Sequence, residues 1–153
     1  MPAANDPLEP PDPFELQRFT SAQERIYRDV LAELRGGRKR SHWMWFIFPQ
    51  IEGLGYSATS KHYAIKSPQE ARAYLQHPVL GARLVECAEA VLQLTGRSAS
   101  EIFGSPDDMK LRSSMTLFAS VADTDSVFAR VLEKYFGGKP DQKTLDLLAK
   151  HKA

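Results

Sequence analysis

Residues 36 to 63, GGRKRSHWMWFIFPQIEGLGYSATSKHY, gather the side chains best able to do chemistry: a basic triplet, both tryptophans, two of the four histidines and hydroxyl donors that include Ser57, Ser60 and Tyr63. Arg38, Lys39 and Arg40 can give charge-assisted hydrogen bonds to a phosphate or carboxylate, and Trp43 or Trp45 can stack on a base or sugar. Gln50, Ser57, Ser60 and Tyr63 add neutral donors to the same stretch. His42, whose charge changes near neutral pH, is the first candidate for proton transfer. A second polar stripe follows the Ser105-Pro106 pair. Lys110 and Ser114 are four residues apart and share a helix face, with Asp107 and Asp108 in the first turn. Together these assign catalytic candidates His42 and Asp108 and ligand-binding candidates Arg40, Trp43, Trp45, Gln50, Ser57, Ser60, Tyr63, Lys110 and Ser114.

Each has a plainer reading. The basic triplet can oppose a helix dipole, tryptophans fill cores, and small hydroxyl residues back-bond to their own helix. Gly53-Leu54-Gly55 lacks the fuller glycine pattern of a dinucleotide site and reads as a turn. No metal site is expected, because the histidines have no i, i+4 pairing and one cysteine cannot build a thiolate cage. No cofactor is expected either. Cys87 falls on an apolar stripe and should be a buried small hydrophobe.

The elements that must position these residues are mostly helices. Apolar stripes at Ile26, Tyr27, Val30, Leu31 and Leu34, at Leu80, Leu84, Ala88, Val91 and Leu92, and from Val127 to Phe136 repeat at helical spacing. Ser67-Pro68-Gln69-Glu70 starts a helix over 68 to 76, with Glu70 placed to reach back to the cap. Ser105 caps another that runs to about 121, buried broadly because Met109, Leu111, Met115, Leu117 and Phe118 surround its polar stripe. Gly137-Gly138 stops the helix before it, and Leu145 with Leu148 continue a last short one. The expectation is a mainly α fold of about six helices in one compact domain over 12–153. Residues 43 to 48 fit a buried helical turn or a short strand, with helix favoured.

The first thirteen residues hold five of the ten prolines, and residues 1 to 11 read as a disordered tail. Twenty basic against nineteen acidic residues leave a charge of +1, too little to draw the chain onto nucleic acid. The longest apolar run, Trp43 to Phe48, is far short of the ~20 residues of a membrane span. With one cysteine and no basic, apolar leader, a cytoplasmic location is expected; the oligomeric state is left open.

Four strings carry a family likeness: DPF at 12 to 14 with LQRF at 16 to 19, GRKRSHWMWFIFPQI at 37 to 51, GLGYSATSKHYAI at 53 to 65, and KLRSSMTLF at 110 to 118. In these the chain resembles the bacterial and fungal family called domain of unknown function eighteen-ten, over nearly all of residues 12 to 149. The resemblance implies a mainly helical, stand-alone protein and carries over no catalytic residue. The calpastatin label sometimes attached to that family does not suit a sequence built to fold. Residues Thr59 to Tyr63 are also similar to a Ser-Glu-His-Tyr string of the NADAR N-glycosidases, which act on ribosylated substrates. Lys61 stands where that string has its acid, so the carboxylate would come from elsewhere, Asp107 or Asp108 among the choices. Two functions follow: a site for an anionic, nucleotide-like or ADP-ribose-like small molecule, or a protein-interaction module with an aromatic and basic surface.

Overall fold

Seven short helices and three longer ones build the chain in the computed structural model, which describes residues 11 to 151. They are α1 (Gln17–Gln23), α2 (Tyr27–Arg35), α3 (Met44–Ile47), α4 (Ala58–His62), α5 (Pro68–Gln76), α6 (Leu80–Gln93), α7 (Ala99–Phe103), α8 (Asp107–Ala119), α9 (Val127–Phe136) and α10 (Gln142–Ala149). Among the described residues the only β pairing is one isolated parallel bridge, Ile51 to Ile65. The expectation for a tail at 1 to 11 lies, Pro11 apart, outside the described residues.

Helices α2, α5, α6, α8, α9 and α10 are the six that apolar periodicity and helix-start signals predict. The others are only 7, 4, 5 and 5 residues long, too short for a 3.6-residue repeat to show. Residues 43 to 48 resolve as a helical turn, with Trp43 and Phe48 buried on either side of it and both packed on Phe103.

The starts follow capping chemistry. Ser67, Ser98, Ser126 and Asp141 each accept the N–H three residues on. Gly137 stops α9 in the left-handed region at φ 62°. Two expected caps are corrected. Glu70 does not bond the N–H of Ser67; its Oε1 accepts from Lys66, 2.8 Å away, because its other oxygen is held by Arg18. Ser105 is not the N-cap of α8, which begins after Pro106 with no side-chain cap; the full capping box is at Ser98 and Glu101.

Helix α8 lies at the centre, packed on α5, α7, α9 and α10, while α6 packs on α2, α5 and α9. From Ser113 to Phe118 every residue of α8 is buried, so its polar groups must find partners inside. Ser113 Oγ donates to Met109 O and to Asp141 Oδ2, and Thr116 Oγ1 donates to Arg112 O. Ser114 Oγ is fully buried without a partner among the described residues.

Along α6, Leu80, Leu84, Cys87, Ala88 and Val91 are all at most 2% exposed, as the stripe requires. Each buried leucine contributes about 1.5–3 kcal/mol. Burial pushes the Cys87 thiol up to about 12, so its thiolate is scarce at neutral pH. Native protein should therefore resist a thiol reagent at pH 7 and label rapidly once denatured; fast native labelling would overturn this face.

Candidate functional site

The segment 38 to 43 is shaped by a carboxylate on the preceding helix. Glu33 of α2 accepts from Arg40 N (2.7 Å), Ser41 N (3.1 Å) and Trp43 Nε1 (3.0 Å) through Oε1, and from Ser41 Oγ (2.6 Å) through Oε2. Burial alone would raise the Glu33 carboxyl, but these hydrogen bonds outweigh it and hold the group below the ordinary carboxylate value. The turn so formed sends the three basic residues in different directions. Arg40 is exposed, whereas Lys39 points inward, its side chain 8% exposed.

Lys39 Nζ lies 2.9 Å from Asp107 Oδ2, and Lys110 Nζ lies 3.3 Å from Asp107 Oδ1. One carboxylate thus serves two ammonium groups, and the trio keeps one net positive charge. Both ammoniums also sit over indole rings, Lys39 5.1 Å from the Trp43 centroid and Lys110 4.5 Å from that of Trp45. Such contacts orient a cation as well as hold it.

Lys110 opens on a cleft of about 250 Å3. Trp45 on α3, Gln50, Leu54 and Ser60 on α4 form one wall. That wall is held by the pairing around Ile51, where Ile65 N donates to Gln50 O and Glu52 N to Ile65 O, each 2.8 Å. Met109, Lys110 and Ser113 of α8 form the facing wall, and Asp141 and Lys143 close one end. The start of α10 is tied to α8 by Asp141 N donating to Thr116 Oγ1 (2.8 Å) and by Arg112 donating to the carbonyls of Lys139 and Pro140. Asp141 Oδ2 is taken up by Ser113 and Thr144. Lys143 makes no ion pair among the described residues. The cleft therefore offers an aromatic face, two ammonium groups, hydroxyls, an amide and one carboxylate.

A family model described as a protein of unknown function (DUF1810) matches residues 13–148. The chain belongs to this family. Among solved structures, the chain is similar to the crystal structure of the conserved hypothetical protein Rv1873 from Mycobacterium tuberculosis, at 57% identity and a TM-score of 0.89, covering 90% of this chain and 99% of that one. No curated protein matches.

Of the eleven residues singled out from sequence, this DUF1810 chain brings Trp45, Gln50, Ser60 and Lys110 to the cleft. The others lie elsewhere. Trp43 is 2% exposed and spends its N–H on Glu33, so its rings fill the core. His42 and Arg40 are exposed away from the cleft lining, and Ser57 is the exposed cap of α4. Tyr63 packs against Phe19, Phe46 and His62. Ser114 is buried, and Asp108 accepts the N–H of Met109. Met109 and Ser113 join the cleft from Lys110's own helix, while Asp141 and Lys143 join it unannounced, since nothing in the sequence places the start of α10 beside Lys110. The carboxylate lining the cleft is Asp141, and Asp107 is held by its two lysines.

Proposed function

We propose that this protein binds a small anionic molecule with a planar portion in the cleft between Trp45 and Lys110. The observation that carries this reading is the shared Asp107, which leaves Lys110 fixed over an indole and incompletely neutralised at the mouth of a concave site. A nucleotide-like ligand suits that chemistry: its anionic group meets Lys110 and Lys143, its ring lies along Trp45, and Gln50 reads a ring edge. At about 250 Å3 the cleft is below the usual range of roughly 300–1,000 Å3 for drug-sized ligands. It suits one nucleotide-sized half of an ADP-ribose-like molecule, with the other half outside.

Processing of the bound molecule would fall to groups that touch it, and Asp141 is the acid placed to do so. The competing interaction-module reading draws on exposed Tyr56 (79%) and Met109 (46%) near the cleft mouth. Those are single apolar side chains, which soluble proteins commonly expose. Lys110→Ala should weaken binding of a nucleoside monophosphate by about tenfold, one charge-assisted contact, while leaving the melting temperature within a few degrees. Isothermal titration of both proteins measures it, and equal affinities would remove Lys110 from the site.

A further inference from the structure

Arg38, which like the rest of the basic triplet does not line the first cleft, lines a second concavity of about 340 Å3 together with Lys39. Arg97, from the loop before α7, lines it too, over a floor that includes Ile102 and Phe103, with the exposed Ser100 at its edge. Neither guanidinium makes an ion pair or a hydrogen bond among the described residues, whereas those of Arg18, Arg35, Arg83, Arg112 and Arg130 do. Of the groups around them, Glu101 is the one carboxylate lining the concavity; it accepts the N–H of Ser98 at 2.8 Å in the capping box and feels the Arg97 charge without pairing with it directly. Lys39 lines the same wall with its charge committed to Asp107.

The backbone is built to let one arginine in. Gly37 adopts φ +81°, and a Cβ at that position would stand 3.0 Å from Arg97 Nε and 3.1 Å from its Cδ. Glycine suits residue 37 chiefly through this positive φ, and the Arg97 stem passes against its bare Cα, which brings that fork alongside the residue next to Arg38. Lys39 N donates to Ile102 O (2.7 Å) and Arg38 N to Glu33 O (3.1 Å), so the 37–39 turn is tied to α7 and α2 before anything binds.

We infer that this concavity is a second binding site, for the phosphate group of a small phosphomonoester, gripped by the guanidinium forks of Arg38 and Arg97. Two unpaired forks suit the planar, bidentate recognition of tetrahedral oxyanions. With a net charge of only +1, the chain has no global field to draw it onto a nucleic-acid backbone, which favours a small ligand. The inference is independent of the Trp45–Lys110 reading, because it shares no lining residue with that cleft.

The test is a titration of the full-length, isotope-labelled protein with inorganic phosphate and with phenyl phosphate at ~0.15 M salt, where remote exposed charges are largely screened. The arginine side-chain N–H resonances report binding directly. Saturable shifts at Arg38 and Arg97 are expected, with affinity falling about tenfold in Arg38→Ala and in Arg97→Lys, which keeps the charge and stem but loses the fork. Lys110→Ala should bind phosphate at these resonances as wild type does, which separates this site from the first cleft. Linear, non-saturating shifts, or unchanged affinity in both arginine variants, would overturn the proposal. Tighter binding of a single-stranded oligonucleotide than of phenyl phosphate would overturn the small-ligand assignment.

Discussion

Arg18→Ala should lower stability by about 3–5 kcal/mol, a fall on the order of 10 °C in melting temperature, the largest effect of any single polar substitution in this chain. All five guanidinium donors are used. Nη2 meets Glu70 Oε2 at 2.6 Å and Ala64 O at 3.0 Å, Nη1 meets Phe14 O and Glu15 O, and Nε meets His62 O. Arg18 thereby ties the segment before α1 to the end of α4 and the start of α5. Its side chain is 10% exposed and that of Glu70 only 2%. Removing Arg18 strands a buried carboxylate and takes a donor from four backbone carbonyls, whereas removing both charges strands no carboxylate and leaves only the carbonyls short of a donor. Glu70→Gln in the Arg18→Ala background should recover part of the loss, and Arg18→Lys should recover little, since a point charge cannot reproduce the fork. Thermal denaturation of the three variants checks this; additive losses would show that the pair does not act as a unit.

Glu33→Ala should cost about 2 kcal/mol, because four donors lose their acceptor and Trp43 loses the partner of a buried N–H. It carries a pH signature as well. The folded-state value of Glu33 is depressed, so its contribution is present above the ordinary carboxylate value of the unfolded chain and disappears as pH falls through the lower folded one. Wild type should therefore lose stability between about pH 5 and the acid limit, and Glu33→Gln should flatten that slope. Denaturant melts at pH 3, 5 and 7 measure it, and an unchanged slope in the variant would contradict the role given to Glu33.

These two carboxylates show what sequence reading can reach. Glu70 was legible as a first-turn acid after Ser67-Pro68, and the stripes on α2, α6 and α9 named core residues correctly, because capping and periodicity are local properties. Its partner Arg18 is 52 residues away, and no spacing rule reveals it. Trp43 and Trp45 are the same residue type two positions apart, yet one is sealed by Glu33 and the other faces the cleft. A one-turn helix separates their directions, and an element of four residues leaves no period to read. Lys110 was legible as a polar residue on a buried helix. Asp141 and Lys143 were not, since only the docking of α10 on α8 through Thr116 and Arg112 brings them there.

The cleft between Trp45 and Lys110 is tested most directly by thermal denaturation and tryptophan fluorescence read together over a panel of nucleoside monophosphates, ADP-ribose and sugar phosphates. A ligand present at ~100 times its dissociation constant should stabilise the protein by about 2.7 kcal/mol, or roughly 5 to 10 °C. The fluorescence should change with it, because Trp45 lines the cleft while Trp43 is buried. Both responses should weaken in Lys110→Ala and survive in Arg38→Ala. If no member of the panel moves either signal, or if both persist unchanged in Lys110→Ala, the cleft is not the site of an anionic ligand.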